Sequence, residues 1–342
     1  MTLALVLLAS AAFGTKMYYG GGDSGPATAA TRTADRITAS MSAGAQDPMQ
    51  VYVDAHRAIT AADLAPLHRR LASVDDVAQV GDPVLTPDRH GAVIEVALTP
   101  APISRAAMDL VKGPLRTAAH DAAPAGTTVL VGGDSAVFAD VSDAVGRDML
   151  RIFPIAAALI LLILVVTLRS LVAPLYLLAA VALEFAATLG AAVLVVQELG
   201  GQAGVTFTLP LVLFLFVVAL GTDYNILMTA RLREEMLAGK PVRVAVADAV
   251  RHVAPAVGAA GLVLATSFST LMLDPGESSK EMGFAMAFGI LLASFVVSSV
   301  LVPAITALAG TRAWWPGRRA PRPAPEPELA EEPEAERVLQ LA

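Results

Sequence analysis

The sequence predicts an α-helical polytopic membrane protein with about six transmembrane helices and one external α+β domain. The 342 residues are 55% hydrophobic and 16% charged, with a mean hydropathy of +0.63. Soluble chains are about one quarter charged, so this chain is short of charge. The pattern argues against intrinsic disorder, a collagen-like chain, a nucleic-acid binder and a single soluble enzyme domain. Five long segments lack Asp, Glu, Lys and Arg altogether: residues 1–15, 152–168, 199–222, 253–273 and 282–311.

Several segments are candidates for membrane-spanning helices, because a helix needs about 20 apolar residues to cross the bilayer core. The first is the weakest, since its uncharged run ends at Lys16, and small residues at 9–12 leave a cleaved signal peptide open. We expect it to be retained, because no basic residue precedes the apolar run. The candidates are residues 1–19, 152–169, 171–197, 205–230, 252–273 and 282–310.

A long polar stretch separates the first candidate helix from the others, which predicts four regions. Residues 1–19 form the first transmembrane helix, residues 20–148 an extracytoplasmic α+β domain, and residues 149–311 a five-helix transmembrane bundle. Residues 312–342 form a cytoplasmic tail rich in proline and glutamate, which this composition predicts to be disordered. Residues 21–47 are rich in glycine, alanine, serine and threonine, which is typical of a connector.

Short alternating runs in the 20–148 region predict a small sheet. Helices are expected at residues 61–72 and at residues 103–122, the second with a kink at Gly113-Pro114. The resulting order β-α-β-β-α-β is that of the ferredoxin-like arrangement, which carries no function by itself. The predicted strands are residues 49–55, 77–80, 91–99 and 127–131.

The sequence lacks the motifs of the common enzyme and metal-site classes. It has no cysteine, which excludes a disulfide framework, a cysteine zinc site and a thiol nucleophile. It has no P-loop, H-E-x-x-H or G-x-S-x-G motif. We therefore expect no enzyme activity, no cofactor and no metal. The histidines of the external domain match no metal-binding spacing; they are His56, His68, His90 and His120.

The positions of lysine and arginine predict the orientation of the chain in the membrane, because both residues concentrate on the cytoplasmic side. The two short loops on one side carry only Lys280. We therefore expect a multi-pass plasma-membrane protein with both termini in the cytoplasm. The basic residues that follow the second, fourth and sixth candidate helices are Arg169, Arg231, Arg233, Lys240, Arg243, Arg251, Arg312, Arg318, Arg319 and Arg322.

Two acids inside the predicted spans are candidate functional groups, because an ionisable side chain is costly in hydrocarbon. Asp223 lies near the inner end of the fourth span, eight residues before Arg231, which is too far for a pair on neighbouring turns. Burial of Asp223 would let its carboxyl accept and release a proton near neutral pH. Glu184 lies near the middle of the third span. A protonated acid hydrogen-bonded to a neighbouring helix is the alternative there.

Hydroxyl groups near these acids are candidates for a proton relay. Thr222 and Tyr224 flank the aspartate and could orient its carboxylate or pass on a proton. Ser267 and Thr266 lie in the fifth span, where interhelical hydrogen bonds are the alternative explanation. Residues 231–250 mix charged and apolar residues at helical spacing, which predicts an amphipathic helix on the cytoplasmic face.

The sequence around Asp223 resembles the signature of the MMPL transporters, a family within the RND superfamily. Residues 221–225 read Gly-Thr-Asp-Tyr-Asn, and residues 229–235 read Thr-Ala-Arg-Leu-Arg-Glu-Glu. Residues 282–316, which end in Trp-Trp-Pro, resemble the last helix of the family. The layout of one helix, one external domain and five helices is similar to one half of an RND transporter, and Asn225 and the Trp-Trp-Pro end indicate the second half.

The resemblance implies a proton-driven exporter of lipids or other hydrophobic molecules. On this interpretation Asp223 carries the proton and Tyr224 is its hydrogen-bond partner. Glu184 matches no family motif, so its interpretation rests on burial alone. Many halves of the family carry an Asp and an Arg in the last helix, where this chain has Ala293 and Ser298.

The resemblance also implies a partner, because family members have two such halves. We expect a second transporter half or another copy of this chain, together with membrane lipids and a hydrophobic or lipid substrate. Two alternatives stay open: a non-transporting accessory protein that binds a partner or a lipid, and a truncated remnant of a full-length transporter. The abrupt start inside an apolar run fits a truncated reading frame, and an accessory role predicts that Asp223 can be replaced without loss.

Overall fold

The computed structural model describes residues 1–19 and 42–316, together with Thr33 and Arg36. The part of the predicted connector before residue 42 and the predicted disordered tail after residue 316 lie outside the described residues. In chain order, the described part has a short apolar helix, a small α+β region and a bundle of long apolar helices.

The N-terminal helix is shorter than the predicted transmembrane helix 1–19. Helix α1 (Thr2–Ala11) continues as a 3₁₀ turn to Gly14. At 1.5 Å per residue it spans roughly 20 Å, less than the bilayer core of about 30 Å. The helix ends there because strand β1 (Met17–Tyr18) is extended and pairs in parallel with residues 205–206. The described helix is therefore shorter than the predicted span 1–19, and its crossing of the membrane stays a prediction.

The α+β region contains an antiparallel sheet whose strand order is not the order of the sequence. Every helix and strand here agrees within two residues with its prediction, apart from the short strand β4, which was not predicted. The elements are β2 (Met49–Ala55), α2 (Ala61–Ala72), β3 (Val77–Val80), β4 (Val84–Leu85), β5 (Gly91–Leu98), α3 (Arg105–Leu110), α4 (Arg116–Asp121) and β6 (Thr127–Gly132). The strand order is β3-β5-β2-β6, and β4 pairs with β5.

The register of the sheet places one apolar face against the helices. Val51 of β2 lies opposite Ile94 of β5 on one side and opposite Val131 of β6 on the other. Alternate residues of β2 and β5 are buried and form one core with apolar residues of α2, α3 and α4, such as Leu64 and Ala119. This alternation is the period of two that predicted the strands.

Local chemistry explains where the helices of this region begin and bend. A capping box starts α2, in which the Thr60 N–H and hydroxyl donate to the Asp63 carboxylate at 2.9 and 2.8 Å. These hydrogen bonds hold the pKa of Asp63 below its usual range. Between α3 and α4 a π-helical turn, Val111–Leu115, contains Pro114, whose missing N–H suits a wider turn.

The bundle contains five helical stretches, among the described residues, that are long and apolar enough to cross a membrane. They are 28 to 38 residues long and run from Asp134 to Leu168, Val172 to Leu199, Leu209 to Leu237, Val242 to Leu273 and Glu277 to Trp314. Their elements are α5 (Asp134–Leu168), α6 (Val172–Val193), β7 (Val205–Thr206), α7 (Leu209–Leu237), α8 (Val242–Ser269), α9 (Glu277–Leu291) and α10 (Val302–Ala309). A π-helical segment joins α9 to α10, and Glu277–Trp314 is called the last helix below.

The predicted amphipathic helix at residues 231–250 is wrong. Helix α7 continues to Leu237, and α8 already begins at Val242, so only a short turn separates them. Gly239 has a φ of +84°, which a residue without Cβ adopts at no steric cost. The charged and apolar residues at helical spacing therefore belong to the ends of two membrane helices and not to a helix on the membrane surface.

Helix α5 joins the α+β region to the bundle without a break. It is continuous across the predicted domain boundary between residues 148 and 149. Two ion pairs attach its first half to the α+β region: Lys112 to Asp143 at 2.6 Å, and Arg116 to Asp140 in a two-pronged contact at 2.7 and 2.8 Å. Its second half carries an exposed apolar surface.

Candidate functional site

Glu184 is fully buried where α6 packs against α7. A Cβ atom added to Gly221 of α7 would lie 2.8 and 2.9 Å from the two carboxyl oxygens of Glu184. Only a glycine leaves room for the carboxyl to lie against the backbone of α7 at this point. The structure therefore brings the predicted acid of α6 to the first residue of the Gly-Thr-Asp-Tyr-Asn motif.

Buried polar atoms without partners surround this contact. Among the described residues, neither carboxyl oxygen of Glu184 has a hydrogen-bond partner, and the same holds for the side-chain polar atoms of Thr222, Asn225 and Thr229. Asn225 and Thr229 are themselves buried. Gly221, Asn225 and Thr229 are spaced by four residues, so they lie along one face of α7. We call Glu184, Asn225 and Thr229 the polar seam.

Asp223 lies on a different side of α7 from the polar seam. Two residues after Gly221, it is rotated by about 200° around the helix, and its side chain is exposed. No hydrogen bond or ion pair holds it within the described part of the chain. The expected burial of Asp223 within this chain is thus wrong. As expected, Arg231 does not pair with it; Arg231 contacts Glu234 at 2.9 Å and Glu235 at 2.6 Å.

Tyr224 points towards α8 and the last helix. Its buried side chain packs with Val257 and Ala293, and its backbone carbonyl accepts a hydrogen bond from the Ser298 hydroxyl at 3.0 Å. Ala293 and Ser298 are the positions where the resemblance implied an Asp and an Arg. In this chain they provide packing and one neutral hydrogen bond.

Ser267 and Thr266 are not brought to the other candidates. Both are exposed on α8, and their hydroxyls donate to carbonyls of the preceding turn, Val263 at 3.0 Å and Leu262 at 2.8 Å. Such back-bonding satisfies a hydroxyl within its own helix. The geometry gives neither residue a contact with the two acids.

Asn225 and Thr229 were quoted in the sequence motif without a role of their own. Their spacing of four from Gly221 was visible in the sequence, but their burial was not. The described residues contain no group of three or more His, Asp or Glu side chains that could hold a metal ion.

Comparison with known proteins matches the chain to one protein family. The family model described as "MMPL family" matches residues 23–328. The chain belongs to the MMPL family. Its relatives in this family include two membrane proteins of Streptomyces coelicolor: SCO5905, which is 38% identical over 258 residues, and ActII-3, which is 36% identical over 295 residues. The sulfolipid-1 exporter MmpL8 of Mycobacterium tuberculosis is 36% identical over 247 residues.

The matches cover most of this chain but a minor part of the relatives. They span 74%, 86% and 71% of this chain, and 30%, 40% and 22% of SCO5905, ActII-3 and MmpL8 respectively. This MMPL chain is therefore a multi-pass membrane protein that corresponds to part of the length of its relatives.

Proposed function

We propose that this chain is a half-unit of a proton-motive-force-driven transporter that exports lipids or other hydrophobic molecules, with Asp223 and Tyr224 in the proton relay. The observation that carries the proposal is the position of Asp223. It is an ionisable residue about 12 Å along the helix from Arg231, without a partner among the described residues, in the motif of an MMPL protein. Thr222 lies beside it with a buried, unpartnered hydroxyl.

A partner that covers the exposed side of α7 completes this proposal. Exposure of a carboxyl to lipid at this depth costs free energy. We therefore expect a second protein surface to cover Asp223. A second transporter half, or another copy of this chain, would supply it and bury the carboxyl. The incomplete coverage of the relatives supports the same idea.

The name of one relative supports a lipid substrate. MmpL8 is named a sulfolipid-1 exporter, and by analogy we propose a lipid or another hydrophobic substrate for this chain. The geometry gives Ser267 no support as a relay residue.

The proposal includes the topology of the chain. We propose that the α+β region is a ferredoxin-like domain outside the cytoplasm, within residues 20–148. The strand order β3-β5-β2-β6 and the helical segments α2 and α3–α4 support this. The bundle lies within residues 149–311 in the plasma membrane. We propose that both termini lie in the cytoplasm, which the basic residues that follow α7 support.

Replacement of Asp223 by asparagine tests the proposal. Asn keeps the size and hydrogen-bonding capacity of Asp but cannot cycle a proton. We expect Asp223→Asn in the native host to lose the same surface lipids as a deletion of the whole gene, measured by mass spectrometry of extracted lipids. Immunoblots of membranes check that the variant is present at the normal level.

Glu234→Gln is the matched control, because it removes an exposed acid from the same helix. It should keep the wild-type lipid profile. A wild-type profile in Asp223→Asn would contradict the relay and favour an accessory role.

A further inference from the structure

The polar seam contains an acid that the proposed relay does not need. Glu184 is fully buried, and both of its oxygens lack partners among the described residues. Burial of an isolated carboxylate in such surroundings costs many kcal/mol. A buried acid therefore either pairs with a cation or binds a proton and becomes neutral. The structure thus contains a site that demands either a cation or a proton.

The helices packed against α6 bring no counter-charge to this carboxyl within the described residues. On α7, Asp223 faces outward and Tyr224 faces α8. On the last helix, the carboxylate of Glu281 accepts hydrogen bonds from Thr206 at 2.9 to 3.1 Å. The apolar helix α1 carries no ionisable side chain. On α5, Arg151 is exposed and forms no ion pair with Glu184.

The polar seam leads from Glu184 towards the end of α7 at Leu237. Asn225 lies roughly 6 Å and Thr229 roughly 12 Å along the helix axis from Gly221. Both have free donors and acceptors. The next charged residue along α7 is Arg231, whose buried Nε also lacks a partner among the described atoms.

In the other direction, further along α6, the next buried polar side chain already has a hydrogen-bond partner. Thr188, one turn from Glu184, is fully buried, but its hydroxyl already donates to the Glu184 carbonyl at 2.8 Å. Val217 and Thr188 both lie against Gly289 of the last helix, where an added Cβ would be 2.7 Å from a methyl of Val217 and 2.9 Å from the methyl of Thr188. Among the described residues, buried side-chain polar atoms without a partner therefore continue from Glu184 along α7 towards Leu237.

We propose that the polar seam is an occluded proton-binding site, separate from Asp223, that is filled from the Leu237 end of α7. A proton from water forms an O–H bond with one oxygen of Glu184, which neutralises the carboxylate, and the proton returns to water when that bond breaks. Asn225 and Thr229 provide the hydrogen-bonding positions along the way. The use of this site in transport rests on the proposed proton-coupled function, but proton binding by Glu184 does not.

Infrared spectroscopy of the purified full chain in lipid nanodiscs tests the site directly. We expect a carbonyl band of a buried protonated carboxyl that disappears in Glu184→Gln and remains in Asp223→Asn. Gln has nearly the same shape as Glu, so the fold should persist. A band that survives in Glu184→Gln, or one that responds to replacement of choline by sodium and not to pH, would overturn the proposal.

Exchange into D₂O tests the direction of access. The shift of the Glu184 band to its deuterated position should be at least tenfold slower in Asn225→Leu and Thr229→Val. Thr188→Val is the matched control, because it removes a buried hydroxyl on the other side of Glu184, and it should leave the exchange rate unchanged. Equal rates in all variants, or slowing by Thr188→Val alone, would refute access from the Leu237 end.

These measurements do not depend on export. If Asp223→Asn keeps export but the band of Glu184 is present, the proposed relay fails and the proton site stands. If export requires Asp223 and the band of Glu184 is absent, the proposed relay stands and the proton site fails.

Discussion

At the scale of single residues, Gly221 sets the distance between α6 and α7. Its missing side chain leaves the space that the Glu184 carboxyl occupies. Residue type alone would have given Gly221 the usual interpretation of a packing residue in a membrane helix. The structure assigns it a narrower role, since it faces the carboxyl group of Glu184 and not another helix backbone.

Gly221→Ala should destabilise the chain. The new methyl group would lie within 2.9 Å of both carboxyl oxygens, and overpacking of this kind costs about 1–3 kcal/mol. Gly146→Ala is the control, because Gly146 lies in α5 with nothing within 4 Å, where alanine should gain up to about 1 kcal/mol as a better helix former. The free energy of unfolding of the purified chain, from SDS titration, measures both. Equal free energies of unfolding for the Gly221→Ala and Gly146→Ala variants would contradict the close contact between Glu184 and α7.

The sequence predicted the two acids but not the sides of the helices on which they lie. Glu184 and Asp223 were recognised because charge is rare in apolar segments. Whether each acid is buried or exposed depends on how its helix is rotated about its axis. A sequence reveals this rotation where a helix has an apolar stripe opposite a polar face. The polar residues 222–225 of α7 follow one another and so point to several sides of the helix, and the sequence contains no such contrast there.

At the scale of elements, α1 packs against α6 through Gly190. A Cβ atom at this position would overlap the carbonyl oxygen of Leu8. Small residues permit this close approach of two membrane helices. The contact buries Leu5 but leaves Leu7 exposed.

Gly190→Ala should therefore loosen α1. Because the chain has no cysteine, a single Leu5→Cys substitution reports on this contact. Leu5 is 3% exposed, so maleimide labelling of Leu5→Cys in detergent should be slow, and several-fold faster when Gly190→Ala is added. Leu7→Cys, at a position 62% exposed, should label quickly in both backgrounds. Unchanged labelling of Leu5→Cys would contradict the close contact.

The elements of the α+β region were predictable because each has its own local signal. Alternation marks β2 and β5, and the Thr60 capping box marks the start of α2. The end of α1 was not predictable, since it depends on the pairing of Met17–Tyr18 with Val205–Thr206, far away in sequence. Non-local pairings of two residues leave no pattern that a sequence window can detect.

At the scale of the whole molecule, the exposed side of α7 distinguishes a single chain from an assembly, because a partner would cover it. Leu227 lies one turn from Asp223 and is 57% exposed, and Leu159 on α5 is 55% exposed. In an isolated chain the two positions would contact lipid equally. A partner on α7 would cover Leu227 and leave Leu159 in lipid.

Spin labels at these two positions test for the partner. In native membranes we expect a nitroxide at Leu227→Cys to be several-fold less accessible to oxygen, which concentrates in the lipid, than one at Leu159→Cys. The measurement does not require the identity of the partner, so a second half and a second copy give the same result. Equal accessibility would contradict a covered α7.

The continuity of α5 has a mechanical consequence. Its 35 residues form a rod of roughly 52 Å, clamped at one end by the Lys112 and Arg116 ion pairs. A tilt of the α+β region therefore also displaces the other end of α5, unless the helix bends at Pro154. A force applied to the α+β region is in this way transmitted along α5 to the bundle.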